Sequence, residues 1–311
     1  SFPIEEKFDS LPAPEATGPT SFVSIMEGCS KYCSFCVVPY TRGDEVSRNP
    51  EQIFDEVARL IEQGVSEITF LGQNVNSYRY SFKGRMLGLS DLIEVCGAIE
   101  GVDRIRYTTS HPLDMTDDLI DVYGHVPQLV SHLHLPVQSG SNEILTKMKR
   151  NYTREDYLQI ISKLRRARSN IKISSDFIVG FPNETNKDFQ QTMDLIEKVQ
   201  FDASFSFIYS PRPGTPASQL EDKTPPTKKK ERLQILQDRI DYFQRRYSKE
   251  LVGTIQRCLV TGVSKKDSKQ LQARTECNRV VNFDFQNINI LGKLVDINIM
   301  EAYSPSLAGK I

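Results

Sequence analysis

Three cysteines, Cys29, Cys33 and Cys36, fall within eight residues in the spacing Cys-x3-Cys-x2-Cys. The next cysteine is Cys96 and the next histidine is His111. Three thiolates on one tight loop suit three irons of a cubane [4Fe–4S] cluster and leave the fourth iron open to bind and reduce a ligand. A structural zinc site stands as an alternative, although it wants four ligands, commonly in two separated pairs, and no second pair follows. A disulfide would require an oxidising compartment. Phe35, just before the third cysteine, fits either a packed cluster cradle or an ordinary core position.

The elements around this loop must place it. Ser21–Glu27 alternates like a strand and runs directly into the cysteines. The carboxyl end of a strand is where α/β folds put their chemistry. Asn49 and Pro50 then open a helix whose stripe is Ile53, Val57, Leu60 and Ile61. Strands are predicted over 65–71, 104–109, 131–136, 171–179 and 204–209, with helices over 89–99, 117–123, 143–149, 154–168 and 187–199. Such alternation predicts an α/β fold: a partial parallel (β/α)6 barrel with its helices outside. Each strand ends in a polar or Gly/Pro-rich loop: Gly72-Gln73-Asn74, Ser110-His111-Pro112, Gln138-Ser139-Gly140, Gly180-Phe181-Pro182 and Ser210-Pro211-Arg212. All of these fall on the face that carries the cysteines.

A chain of 311 residues with 39% hydrophobic and 25% charged residues is an ordinary globular protein, long enough for one large domain and a small one. No apolar run is long enough to span a bilayer, so no membrane partner is expected. Thiolate chemistry predicts a reducing, cytoplasmic location. Residues 1–223 carry a net charge of −8 and residues 224–311 a net of +7, which sum to the overall −1. A basic tail on an acidic body points mildly to a polyanion. Residues 1–20 hold Pro3, Pro12, Pro14 and Pro19 and read as a linker from a missing N-terminal domain. The large domain is expected over 21–247. Over 248–311, short β-rich runs at 254–263, 270–275, 279–285 and 293–300 predict a small antiparallel β-barrel.

The stretch Cys29-x3-Cys33-x-Phe35-Cys36 resembles the radical S-adenosylmethionine signature. Ser24–Cys29, Val37–Gly43, Phe70–Asn76, Ser110–Pro112, His134–Ser141, Asp176–Pro182 and Tyr209–Pro216 narrow the resemblance to the methylthiotransferase family. Gly262–Asp267 and Asn278–Phe283 resemble that family's TRAM domain, a small RNA-binding barrel. Gly72–Asn76 and Asn278–Phe283 look most like the branch that adds a methylthio group to isopentenylated adenosine beside the tRNA anticodon. Sister enzymes act on threonylcarbamoyl-adenosine or on a ribosomal-protein aspartate. Asn183 stands where the family usually has Gly, and Asn tolerates left-handed backbone angles.

The resemblance implies a [4Fe–4S] cluster on Cys29, Cys33 and Cys36, and S-adenosylmethionine cleaved at the open iron. It implies a second, auxiliary cluster on a preceding domain as sulfur source. It also implies an electron donor such as flavodoxin or ferredoxin, and tRNA as substrate. Gly72, Gln73, Asn74, Ser110, Gln138, Ser139 and Asp176 become the expected cofactor contacts. Lys265, Lys266, Lys269, Arg274 and Arg279 become the expected RNA contacts. Arg42, Arg212 and Lys228–Lys230 are weaker candidates for phosphate. His111, His132 and His134 are expected to be packed or hydrogen-bonded rather than metal ligands. The competing class is a non-catalytic, zinc-stabilised RNA-binding protein.

Overall fold

Parallel strands can be joined only by long crossovers, and helical segments supply them here. The computed structural model describes residue 8 and residues 13–265, 267–284, 288–304 and 306–311. In chain order the first half contains β1 (Thr20–Ser24), β2 (Met26–Glu27), α1 (Val38–Arg42), β3 (Val46–Ser47), α2 (Pro50–Glu62), β4 (Glu67–Leu71), β5 (Arg79–Phe82), β6 (Arg85–Gly88), α3 (Leu89–Gly97), β7 (Arg104–Tyr107) and α4 (Asp117–His125). There follow β8 (His132–His134), α5 (Asn142–Lys147), α6 (Arg154–Ala167), β9 (Lys172–Val179), α7 (Asn186–Val199), β10 (Ala203–Ile208) and α8 (Pro226–Glu250).

β1, β4 and β7 pair in parallel in that order, as do β8, β9 and β10. A single parallel bridge, Ile105 to Leu129, joins the two sets. Six strands therefore follow one another in sequence order, and β1 and β10 are the two edges. The β-hairpin of β5 and β6 was not anticipated.

Local chemistry explains the helix starts. Asn49 accepts from the Glu51 N–H at 2.9 Å, and Pro50 needs no donor partner at the first helical position. Thr153 with Asp156, and Thr185 with Asp188, form reciprocal capping boxes on α6 and α7. Along β4, Ile68 and Phe70 face the helices with no exposure, so Glu67, Thr69 and Leu71 face the lumen. Leu236, Ile240 and Phe243 of α8 join the same core, so this basic helix is a packed element of the large domain. Among the described residues no helix is long and apolar enough to cross a membrane.

The tail forms β11 (Ile255–Val263), β12 (Gln270–Arg274), β13 (Val280–Asp284), β14 (Leu294–Ala302) and β15 (Ser306–Lys310). They close in the order β11-β12-β13-β15-β14 around Val260, Leu271, Val281, Phe283 and Ile297. The expectation of an all-antiparallel barrel is refined. β13 and β15 pair in parallel, because neighbours on a closed ring of five strands cannot all alternate in direction. β15, which the sequence pattern did not reveal, is the strand that closes the ring.

This small barrel docks beneath the amino ends of the parallel strands. Arg104 donates to the Arg274 and Arg257 carbonyls at 2.8 and 2.6 Å. Arg106 donates to those of Glu276 and Thr275 at 2.7 and 3.1 Å. Glu67 lies 2.9 Å from Arg106 Nε and balances the pair. Ser66 Oγ donates to the Gly292 carbonyl at 2.7 Å.

Candidate metal centre at the mouth of the parallel barrel

The cysteine loop leaves β2 through Gly28, whose φ is +83°. A Cβ there would come within 2.0 Å of the Asp44 carbonyl oxygen, so only glycine fits. Gln73 Oε1 accepts from the Gly28 N–H at 2.6 Å, and the Gly43 carbonyl accepts from the Cys29 N–H at 3.1 Å. Ser34 ties the far side of the loop to the end of α5. Its N–H donates to the Met148 carbonyl at 3.0 Å and its hydroxyl to the Lys147 carbonyl at 2.8 Å. Lys31 reaches Asp114 at 2.8 Å, linking the loop to the segment after β7.

Burial pushes the Cys29 thiol up to about 11, and a hydrogen bond from the Lys31 backbone partly offsets it. Burial also raises Cys36, with the Val38 backbone opposing. Cys33 is buried and accepts from Arg150 Nη1 at 3.4 Å. The thiols lie close enough for Cys29 and Cys36 each to feel the charge of Cys33. Among the described residues no three Cys, His, Asp or Glu side chains converge on a point that one metal ion would occupy. A cubane asks for something different, since each thiolate takes its own iron. Three cysteines on one loop, with an Arg N–H on the central sulfur and backbone amides that ease ionisation of the outer two, fit thiolate ligation of such a cluster.

The expected cofactor residues divide. Gly72 backs onto Met26, where a Cβ would come within 2.5 Å of the sulfur. Gln73 holds the cysteine loop, as above. Asn74 is 2% exposed. Its Nδ2 donates to Glu45 and Asp114 at 3.0 and 2.8 Å, while its Oδ1 has no partner. Ser110 Oγ is likewise buried and unpartnered. Asp176 lies 3.2 Å from His134 Nε2 and shares the lumen face with Phe205, its register partner on β10. Gln138 has φ +72° and continues the ladder by donating to the Asp176 carbonyl at 2.9 Å. Ser139 does not meet this group. Its hydroxyl faces Thr192 on α7 at 3.3 Å, because the chain turns there into α5.

His111 accepts from the Leu113 N–H through Nδ1 and leaves Nε2 buried and unpartnered. Burial, with Arg150 and Lys31 adding, holds it down to about 2, so the ring is neutral. His132 and His134 share the Ser174 hydroxyl at 3.3 and 3.0 Å.

The expected RNA contacts divide as well. Lys265 and Lys269 are exposed on the small barrel. Arg274 is half-buried and donates to Asn278 at 3.0 Å. Lys266 lies outside the described residues. Arg279 is not a surface cation: it is 9% exposed and grips Asp202 through both Nη atoms at 2.9 and 2.5 Å. Burial of β13 against the large domain made it a structural contact. Among the weaker candidates, Lys228 pairs with Glu231 on the surface, whereas Lys229 is largely buried against Gly180 and pairs with Asp222.

Sequence reading missed Arg150 and Tyr152. Arg150 closes a basic run, Lys147-Met-Lys-Arg, which by charge alone reads as surface. It is 5% exposed.

The model of the radical SAM superfamily matches residues 23–196, more than half of the chain. The chain belongs to the radical SAM superfamily. Membership implies a [4Fe–4S] cluster and S-adenosylmethionine, and the cysteine loop of this radical SAM protein has the donor set to hold the first. The TRAM domain model matches residues 249–311. Over 312 residues the chain is 59% identical to a tRNA-2-methylthio-N(6)-dimethylallyladenosine synthase of Haemophilus ducreyi, covering 100% of this chain and 66% of that protein. A protein of the same name from Yersinia enterocolitica is 57% identical over 310 residues, covering 99% and 65%. The chain thus spans just under two thirds of the length of these relatives. Among solved structures, a radical S-adenosylmethionine methyltransferase of Kitasatospora setae superposes with a TM-score of 0.53 at 17% identity, covering 65% of this chain and 39% of that one. Coproporphyrinogen III oxidase of Escherichia coli gives 0.50 at 15%, covering 83% and 67%. Both likenesses concern the fold alone.

Proposed function

We propose that this chain carries the radical-generating core and the RNA-binding module of a cytoplasmic tRNA methylthiotransferase. Its substrate is N6-isopentenyladenosine beside the anticodon. The observation that carries the reading is the cysteine loop: three cysteines on one turn at the carboxyl mouth of a parallel barrel, with a buried guanidinium on the central sulfur. The names of relatives at 57–59% identity support the substrate.

Cys29, Cys33 and Cys36 hold the cluster. When bound, it supplies one electron to S-adenosylmethionine and an open iron for that cofactor's amino and carboxylate groups. Asn74 Oδ1 and Ser110 Oγ are buried acceptors without hydrogen-bond partners just beyond the ends of β4 and β7, and Asp176 lies on the lumen face of β9 beside His134; the three orient the cofactor. Phe205 and Phe207 on β10 are 64% and 59% exposed and offer flat apolar surface to a prenylated purine. Residues 21–247 act as the catalytic core, with 1–20 as a linker and 248–311 as the RNA module. Lys265, Lys269 and Arg274 of that module meet phosphates. The sulfur comes from an auxiliary cluster on a preceding domain, and the electron from a flavodoxin or ferredoxin.

Two experiments test this. Anaerobic reconstitution of the chain should give about four irons and four sulfides, lost in Cys33→Ala. One zinc and no cubane spectrum would overturn the cluster. The full-length protein should methylthiolate an isopentenylated anticodon stem-loop and leave a threonylcarbamoylated one unchanged. The opposite preference refutes the substrate.

A further inference from the structure

Arg150 is a buried cation with an unusual partner. Among the described residues no carboxylate pairs with it, and its Nη1 donates to the sulfur of Cys33 at 3.4 Å. A buried guanidinium is costly unless its N–H groups are met, and here each of its three nitrogens has an acceptor. The geometry is fixed on every side. Nε donates to Tyr152 Oη at 2.9 Å and Nη2 to the Pro136 carbonyl at 2.8 Å. The Tyr152 hydroxyl is anchored in turn on the Val137 carbonyl at 2.9 Å. Ser34, the residue after Cys33, is bonded to the same turn that presents Arg150.

We propose that Arg150 is a positioning residue that raises the reduction potential of the cluster through its hydrogen bond to Cys33. The inference rests on the reading of Cys29, Cys33 and Cys36 as cluster ligands. One-electron reduction adds negative charge to the cluster and its thiolates. A cationic donor on a ligand sulfur stabilises the reduced form more than the oxidised one, and burial strengthens the effect. All three guanidinium nitrogens are already engaged, so the residue acts on the sulfur and not as a free anion clamp.

The test is a potentiometric titration of the reconstituted chain, followed by electron paramagnetic resonance without S-adenosylmethionine. In Arg150→Gln the reduction equilibrium constant should fall at least about tenfold, which is about 59 mV for one electron. Arg150→Lys keeps the charge and should recover more than half of that loss. Tyr152→Phe leaves the Nη1–Sγ contact in place and should shift the potential in the same direction by less. Arg150→Gln with full iron and sulfide and the wild-type potential overturns the proposal. So does an unchanged potential accompanied by weaker S-adenosylmethionine binding, which would assign Arg150 to that cofactor. If Arg150→Gln does not assemble a cluster, wild-type potentials in both other variants overturn it. A cluster that survives Cys33→Ala would instead sink the ligand assignment underneath.

Discussion

At the amino ends of its strands the parallel barrel buries Glu67, Arg104, Arg106 and Asp202; beyond the carboxyl ends of β4 and β7 it buries Asn74, Ser110 and His111. The first group is answered by the protein itself, in hydrogen bonds or in ion pairs: Glu67 Oε1 lies 2.9 Å from Arg106 Nε and Oε2 3.7 Å from Arg104 Nη1, although Oε2 and Arg106 Nε make no hydrogen bond of good geometry. Arg104 and Arg106 meet four carbonyls of the small barrel, and Asp202 meets Arg279. In the second group Asn74 Oδ1, Ser110 Oγ and His111 Nε2 have no partner. A buried polar atom left unsatisfied costs about 1–3 kcal/mol. Such a cost is sustained where something else completes the bonding. The floor is therefore a joint between two modules, and the mouth leaves polar atoms unanswered, as the cofactor site proposed above requires.

Breaking the floor should have the largest effect. Arg279→Ala leaves Asp202 buried and unpaired and should destabilise the protein by about 3–5 kcal/mol in denaturant unfolding. A loss below about 1 kcal/mol would mean that the joint is solvated and the comparison fails.

At the mouth, His111 sharpens the contrast through pH. The unfolded chain takes up its proton near 6.5, whereas the folded ring stays neutral down to about 2. The unfolded state thus binds more protons between these values. The contribution is fully present above pH 6.5 and is lost as pH falls below it. From pH 7 to pH 5, His111→Gln should lose about 2 kcal/mol less stability than the parent. Equal losses in the two proteins would show that the ring protonates freely in the fold.

The smallest effect on stability is expected at Ser110. Removing an unpartnered hydroxyl in Ser110→Ala should leave the thermal midpoint unchanged or raise stability by about 1 kcal/mol. S-adenosylmethionine binding to the reconstituted chain should weaken several-fold. A marked destabilisation would show that the hydroxyl serves the fold and not the ligand.

Much of this was legible along the chain. The cysteine spacing, the cap at Asn49 and the strand–helix alternation are all short-range features. Asn183 has φ +65°, the left-handed angle that asparagine was expected to tolerate there. The β5–β6 hairpin and β15 escaped because short strands carry too few residues to set a period. Ser139 and Arg279 were read by residue type and neighbourhood in sequence, and residue type does not say which way a side chain is buried.

The sequence alone determined where a thiolate loop must sit: at a strand end, inside a repeating α/β pattern, ahead of a β-rich tail. Those are consequences of local propensity and spacing. Only the tertiary structure decided what the charged groups do. Arg150 and Cys33 are separated by 117 residues, and Arg279 and Asp202 by 77. Burial turned two surface-looking arginines into partners of a sulfur and a carboxylate. A charge takes its meaning from what replaces its water, and that is set by packing between distant segments.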